Sequence, residues 1–282
     1  MSEAAAEAPR HVESRDGTRI AVYSSGEGPP LVLVHGTTAD HTTFRALAPV
    51  LEASFRIHAI DRRGRGASGD GSGAYRIERE FEDLARVADA IASESGEPVD
   101  VFGHSYGGRC GLGAALRTAS IARIVVYEGA PAPSGAGDGG YRPSGVEARI
   151  AALIAAGNRD AALQAFFREI VRMPESELAA YRANPVWPVR VAAVETAIRE
   201  MEGEASPAAS LEALGRVEQP VLQVLGGASA PIFREATEAL DARLANGRIV
   251  VIDGARHAAH HTHVEPLAEA VRAFLAGPAV AD

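Results

Sequence analysis

The stretch Gly103-His104-Ser105-Tyr106-Gly107 presents a serine in a G-x-S-x-G pattern. Taken alone the pattern is weak, because 29 of the 282 residues are glycine. Its surroundings make it specific. An apolar run at 99–102 leads straight into it, and an amphipathic helical pattern starts at once after it, with Gly107, Gly108 and Gly111 leaving room for close packing. A strained strand-to-helix turn of this kind holds a serine hydroxyl clear of a sheet and at a helix N-terminus, where developing negative charge is favoured. Such a serine performs acyl transfer if a base takes its proton and two donors receive the oxyanion. The backbone N–H of the residue after the nucleophile, Tyr106, is the first expected donor. Histidines cluster late in the chain, at His257, His260, His261 and His263. No Cys or carboxylate completes a tetrahedral set with them, so no metal site is expected. His257 follows a strand pattern and the short loop Gly254-Ala255-Arg256, and a helical pattern comes next. A strand-end loop sets its imidazole against the serine turn, where it can accept the Ser105 proton and return it to a leaving group. The other three histidines are expected to face the cap described below or solvent.

These groups need a scaffold. Short β-branched-rich runs recur at 31–34, 57–60, 99–102, 124–127, 221–225 and 249–252, apolar on both faces as in buried parallel strands. Helical patterns at 44–51, 78–92, 106–118, 233–244 and 264–275 lie between most of them, which implies a parallel sheet wound by right-handed crossovers. Residues 1–9 are Ala/Glu-rich and read as a frayed end. Two extended runs follow, split by Asp16-Gly17, a dipeptide that favours a type I′ hairpin. The alternation breaks between about 131 and 219. A Gly/Pro/Ser stretch, APAPSGAGDGGYRPSG, opens the break, and helical segments follow at 146–156, 159–172, 175–183 and 189–201. The expected organisation is a core from 10 to 130, a helical cap from 131 to 218 over the C-terminal strand ends, and the rest of the core from 219 to 277. Phe166, Phe167, Met173, Tyr181 and Trp187 fall in the cap. Of these Trp187, Phe166 and Tyr181 are the candidates for substrate contact, although such residues also simply pack helices. No Arg-plus-aromatic pattern marks a carboxylate clamp, so the charge of the substrate stays open.

Together LVLVHGTT, AIDRRGRGASG, GHSYGG and the late DGARH resemble the α/β-hydrolase superfamily, in its branch of capped single-domain esterases, lactonases and cofactor-free perhydrolases. The likeness runs from about 19 to 275 and is weakest across the cap. It implies an α/β-hydrolase fold: a mostly parallel twisted sheet of about eight strands, flanked by helices, with a helical cap inserted. It implies a second oxyanion donor in the residue after His35-Gly36, the Thr37 backbone N–H, and a general base in His257 through the chain order Ser, acid, His. The loop AIDRRGRGASG reads as structural, with internal Arg–Asp pairing and no catalytic part for Asp61. The acid is the difficulty. Most of the superfamily carries it just after the strand at 221–225, where this chain has Gly226-Gly227-Ala228-Ser229-Ala230 and no Asp or Glu through Phe233. Some relatives, certain haloalkane dehalogenases among them, take the acid from the strand before the cap. There Glu128 directly follows Val125-Val126-Tyr127, and its extra methylene gives reach. Asp253 would need an awkward bend, Asp100 points to the wrong end of the sheet, and Glu235 falls inside a helix. Glu128 is therefore the expected acid, with residues 226–230 closing the floor of the site.

A serine nucleophile argues against haloalkane dehalogenases and epoxide hydrolases, which use Asp. The expected function is a serine hydrolase cleaving a small or medium, largely apolar carboxylic ester, lactone or thioester through an acyl-enzyme on Ser105. Carbon–carbon hydrolases and perhydrolases share the triad. A non-catalytic homologue acting as a ligand- or partner-binding module is the other class to separate. Composition narrows the rest. Hydrophobic content of 46% and charged content of 23% are ordinary globular values. The formal charge of −9 disfavours a nucleic-acid partner. All 28 basic residues are arginine, which excludes Schiff-base chemistry and a P-loop lysine. A single Cys110 cannot make an internal disulfide, the first residues carry no secretory pattern, and no apolar run approaches the roughly 20 residues that span a bilayer. A cytoplasmic protein acting on a small molecule is expected, with no cofactor, no membrane partner and an open oligomeric state.

Overall fold

A computed structural model describes residues 8–133 and 143–277. The Ala/Glu-rich start through residue 7 and positions 134–142 of the Gly/Pro/Ser stretch lie outside the described residues. Among the described residues one eight-stranded sheet organises the chain: β1 (Arg10–Glu13), β2 (Arg19–Ser25), β3 (Pro30–Val34), β4 (Arg56–Ile60), β5 (Val99–His104), β6 (Ile121–Tyr127), β7 (Val221–Gly226) and β8 (Gly247–Ile252). Their spatial order is β1-β2-β4-β3-β5-β6-β7-β8. The six apolar runs pair in parallel, and β1 and β2 add an antiparallel edge.

Along β3, β5 and β7 every residue is buried, because helices cover both faces. Successive side chains alternate between the two layers, as the period of a strand requires. Val34, Val101 and Val126 face the layer formed by helices Ile77–Ser95, Tyr106–Ala115 and Pro231–Asp241. Leu33, Phe102 and Val125 face the layer that contains helix Val264–Leu275. Each such buried Leu or Phe stabilises the fold by about 1.5–3 kcal/mol. The outer strand β8 departs from the expected two-sided burial: it is the last strand, and Val250 and Val251 are 37% and 40% exposed.

Two local expectations change. Between β1 and β2, Ser14 N–H donates to Thr18 O at 2.8 Å, so three residues turn the chain instead of two. A type I′ turn needs φ > 0 at both central residues. Here only Gly17 has it (φ 81°), and the Asp16 carboxylate accepts from Thr18 N–H at 3.1 Å. The helix expected at 44–51 is two pieces, a 3₁₀ turn at His41–Phe44 and a short helix at Ala48–Leu51. Pro49 explains the interruption, since proline starts a helix readily and cannot continue one.

Between β6 and β7 the helices Val146–Ala155, Arg159–Glu169, Glu175–Arg182, Trp187–Ala192 and Glu195–Gly203 form an insertion with its own apolar cluster, centred on Phe166, Phe167, Leu178 and Trp187. The expected helix 189–201 is thus broken near Val194. Ala209, Leu211, Leu214 and Val217 already belong to the cluster beneath the sheet. No helix of the described residues is long and apolar enough to cross a membrane.

Candidate active site

β5 ends level with β6, His104 paired to Tyr127, and the chain turns sharply at the next residue. Ser105 adopts φ 53° and ψ −123°, a conformation that costs a non-glycine residue about 1–3 kcal/mol. The surroundings hold it there. Ser105 N–H donates to Tyr127 O at 2.8 Å, and Gly108 N–H donates back to Ser105 O at 2.9 Å. The following helix starts so close to β3 that a Cβ on Gly107 would stand 2.2 Å from Val34 O. Ser105 thereby lines a cavity of about 310 Å³, bordered also by Thr37, His257 and residues of the insertion.

Glu128 leaves β6 beside this turn, 2% exposed and with φ 48°. Its Oε2 lies 2.6 Å from His257 Nδ1, and its Oε1 accepts from the Gly226 N–H at 2.8 Å. The loop after β7 therefore contributes a backbone donor to the carboxylate. An ionised carboxylate only accepts, so Nδ1 carries the proton and the Nε2 lone pair is left free. The histidine loop is fixed from several sides. His104 Nε2 donates to His257 O at 2.8 Å. Tyr127 Oη donates to Arg256 O and accepts from Ala259 N–H at 3.0 Å. Phe233 stacks on the His257 ring at 4.7 Å. Tyr127 and Phe233 are positioning groups that no sequence motif marks.

His35 sets the geometry at the end of β3. It is fully buried, and its Nε2 accepts from Arg62 N–H at 3.0 Å, so its Nδ1–H donates to Gly36 O at 2.9 Å. Arg62 Nη2 adds a second donor to that oxygen at 3.4 Å. In a trans peptide the N–H lies opposite the C=O, so the Thr37 N–H points away from His35. Burial, then the Arg62 charge, hold the His35 pKa well below its ordinary value, which keeps the ring neutral. Thr37 and Tyr106 share a second small pocket with Ser105 and His257. The Ser105 hydroxyl bonds to no described residue.

The loop after β4 does not pair internally as expected. Asp61 accepts from His41 N–H at 2.9 Å and Ala67 N–H at 2.9 Å. Its arginines reach outward instead: Arg62 to Glu80 and Glu200, Arg63 to Asp83 and Asp16, Arg65 to Glu200. The partners were invisible in sequence because Glu200 stands far along the chain, on the insertion, which this buried pair of arginines ties to the core.

Phe166 and Tyr181 line the cavity, with Phe167 and Met173. Trp187 does not border it: its ring packs on Phe167 and Tyr181, and its Nε1–H donates to Asp160 at 2.7 Å. His261 lies on the cavity wall, and His263 stands apart from it. His260 borders the same cavity as the cap residues, so only the surface half of the expectation of a cap-facing or surface residue is corrected. The short helix Ala259–Thr262 turns it inward, 2% exposed and 4.3 Å from the His104 ring. Burial, then the His104 ring, push its pKa well down. Among the described residues no group of three His, Cys, Asp or Glu could hold a metal ion.

Comparisons with known proteins agree with this architecture. Residues 31–270 match the Alpha/beta hydrolase family. The crystal structure of an alpha/beta hydrolase from Sphaerobacter thermophilus superposes with a TM-score of 0.78 at 33% identity, covering 93% of this chain and 100% of that one. A pimeloyl-[acyl-carrier protein] methyl ester esterase of Neisseria meningitidis is 29% identical over 258 residues, 87% of this chain and 92% of its own. An esterase from Thermogutta terrifontis, 21% identical with a TM-score of 0.74 over 95% and 98% of the two chains, shares the fold. The match across most of the chain, joined to the sheet order and the turn at Ser105, means that this protein belongs to the alpha/beta hydrolase family.

Proposed function

We propose that this protein is a serine hydrolase that cleaves a small or medium, largely apolar carboxylic ester, lactone or thioester through an acyl-enzyme on Ser105. The observation that carries the reading is the 2.6 Å contact between Glu128 Oε2 and Nδ1 of His257, which stands on the wall of the cavity that Ser105 borders. Ser105 Oγ attacks the carbonyl carbon while His257 Nε2 takes its proton. Glu128 keeps the imidazole in the accepting tautomer and stabilises the imidazolium that forms. The Thr37 and Tyr106 N–H groups receive the oxyanion. His257 then protonates the leaving group, and a water, deprotonated by the same nitrogen, releases the acid. The insertion acts as the cap, with Phe166, Tyr181 and their apolar neighbours around the body of the substrate. Trp187 supports that wall from behind.

The similarity to a methyl ester esterase favours ester chemistry over carbon–carbon cleavage or perhydrolysis, which use the same triad. A binding module that has lost its acid is disfavoured by the buried carboxylate beside His257. Hydrolysis of p-nitrophenyl butyrate by wild type, Ser105→Ala and His257→Ala tests the proposal. Wild-type turnover that falls at least a thousandfold in each variant is expected. An inactive wild type would favour the binding module, and activity unchanged in Ser105→Ala would reject the nucleophile.

A further inference from the structure

Among the described residues five arginines are buried: Arg62, Arg63, Arg65, Arg109 and Arg190. The first four each meet a carboxylate, from Glu80 and Glu200, Asp83, Glu200 and Glu204 in turn. Arg190 meets none. Only 8% exposed, it donates to Thr37 O at 3.3 Å, Thr38 Oγ1 at 3.3 Å and Thr43 Oγ1 at 3.1 Å. Its guanidinium lies 5.5 Å from the Tyr181 ring centroid and 5.8 Å from that of Phe167. Neutral acceptors and aromatic faces leave the charge uncompensated, and a buried cation is costly until an anion joins it.

Arg190 borders the cavity that holds Ser105 and His257. The contacts to Thr37, Thr38 and Thr43 engage three of its five N–H donors, and a planar guanidinium with donors to spare matches a planar carboxylate. Arg45, exposed on the same wall, has no carboxylate partner among the described residues either. The histidines nearby register the field. Burial first, then the charges of Arg45 and Arg190, bring the His261 pKa down to about 4, and its Nε2 is buried without a hydrogen-bond partner. The cavity's own carboxylate, Glu177, is already paired with Arg256 at 3.0 Å. Asp40, on the same loop as the threonines, accepts from Thr42 N–H at 2.9 Å. In a chain of net charge −9, this wall is locally positive.

We propose that the cavity takes an ester or lactone carrying a carboxylate, and that Arg190 binds that carboxylate, with Arg45 adding charge at the mouth. The inference rests on the hydrolase reading of Ser105 and His257. It narrows the substrate from any largely apolar ester to one with an apolar body along Phe166 and Met173 and an anionic end.

Matched esters test it: monoethyl adipate against ethyl hexanoate for a carboxylate on the acyl side, and 4-acetoxybenzoate against 4-tolyl acetate for one on the alcohol side. A charge-assisted contact should favour the carboxylate in one pair by roughly 10- to 100-fold in kcat/KM, mostly through KM. Arg190→Gln should bring that ratio close to one, and Arg45→Gln should lower it in part. Because Arg190 also holds the Thr37 loop, a second measurement is independent of turnover. Calorimetric titration of Ser105→Ala with adipate should give saturable binding, at least tenfold tighter than 1,6-hexanediol, weakened to the same degree by Arg190→Gln and less by Arg45→Gln. Fluorophosphonate labelling of Ser105 without carboxylate preference or adipate binding would overturn the anion site and leave the hydrolase reading intact. Adipate binding without labelling or turnover would support the site and overturn the hydrolase reading.

Discussion

Glu128→Gln is the sharpest perturbation of this site, because the two oxygens of Glu128 do different things. Oε1 accepts from Gly226 N–H at 2.8 Å, and Oε2 faces His257 Nδ1 at 2.6 Å. A glutamine has one oxygen and one NH₂. With its oxygen kept on Gly226, its NH₂ meets Nδ1 and selects the tautomer that accepts there. The proton then sits on Nε2, which can no longer take one from Ser105. The flipped amide would instead set two donors against each other at Gly226, which costs about 1–3 kcal/mol for a buried unsatisfied group. The first arrangement removes the base, and the second keeps the tautomer only at that cost and without the charge that stabilises the imidazolium. Removing the orienting carboxylate from a triad costs roughly 10⁴ in kcat, or about 5.5 kcal/mol of barrier. Steady-state hydrolysis of an aryl ester should therefore fall by about that factor, with near-UV circular dichroism and Tm close to wild type. Glu128→Asp keeps the charge but withdraws it by one carbon–carbon bond, opening the 2.6 Å contact to roughly 4 Å. It should lose less than Glu128→Gln. A Glu128→Gln enzyme within threefold of wild type, or a Glu128→Asp enzyme as slow as Glu128→Gln, would refute the reasoning.

Other parts of the structure make equally definite claims. A Cβ on Gly226 would stand 2.6 Å from Ala255 O and 2.6 Å from Ser229 Oγ. Gly226→Ala should therefore cost about 1–3 kcal/mol and shift the donor away from Glu128, and an unchanged Tm and kcat would count against the close fit. Glu200→Ala leaves Arg65 without a carboxylate and Arg62 with Glu80 alone; urea unfolding should show a loss of about 3–5 kcal/mol, and a loss below about 1 kcal/mol would contradict it. His35, His104 and His260 are all held well below their ordinary pKa, chiefly by burial. A histidine depressed in the fold leaves stability complete above its unfolded pKa near 6.5 and removes it as the pH falls. Below that value these three rings alone give a slope of about 4 kcal/mol per pH unit, to which His58 and His261, both brought down to about 4 chiefly by burial, add. Equal stability at pH 7.5 and pH 5.5 would show that these rings are not neutral and buried together.

Much of this was legible in the residues, for identifiable reasons. The strands β3 to β7 are short, mostly or wholly buried and β-branched-rich, so their runs read directly as parallel strands. Ser105 announces itself through a strand, a turn and a helix that are contiguous in sequence. Glu128 follows β6 without a gap, and its position next to β5 comes from the tendency of successive strands to neighbour one another. What stayed hidden depends on distant parts of the chain. Glu200 meets Arg62 and Arg65 across more than a hundred residues, and only the packed insertion brings them together. His260, expected to face the cap or solvent, is turned inward against His104 by the short helix Ala259–Thr262. Arg190 carries no local motif at all; its meaning lies in the carboxylates it fails to meet. Trp187 shows the limit of composition in the other direction, a large aromatic residue that packs behind a wall and does not line it.

The central claim is that Ser105 is activated by a histidine whose acid has moved from the end of β7 to the end of β6. Its most direct measurement is intact-mass and peptide-level spectrometry after reaction with a fluorophosphonate, run on wild type and on Glu128→Gln. The account predicts a single stoichiometric adduct on Ser105 in wild type, formed at least a hundredfold more slowly in Glu128→Gln. An unlabelled wild type, an adduct on another residue, or equal labelling rates in the two proteins would contradict it.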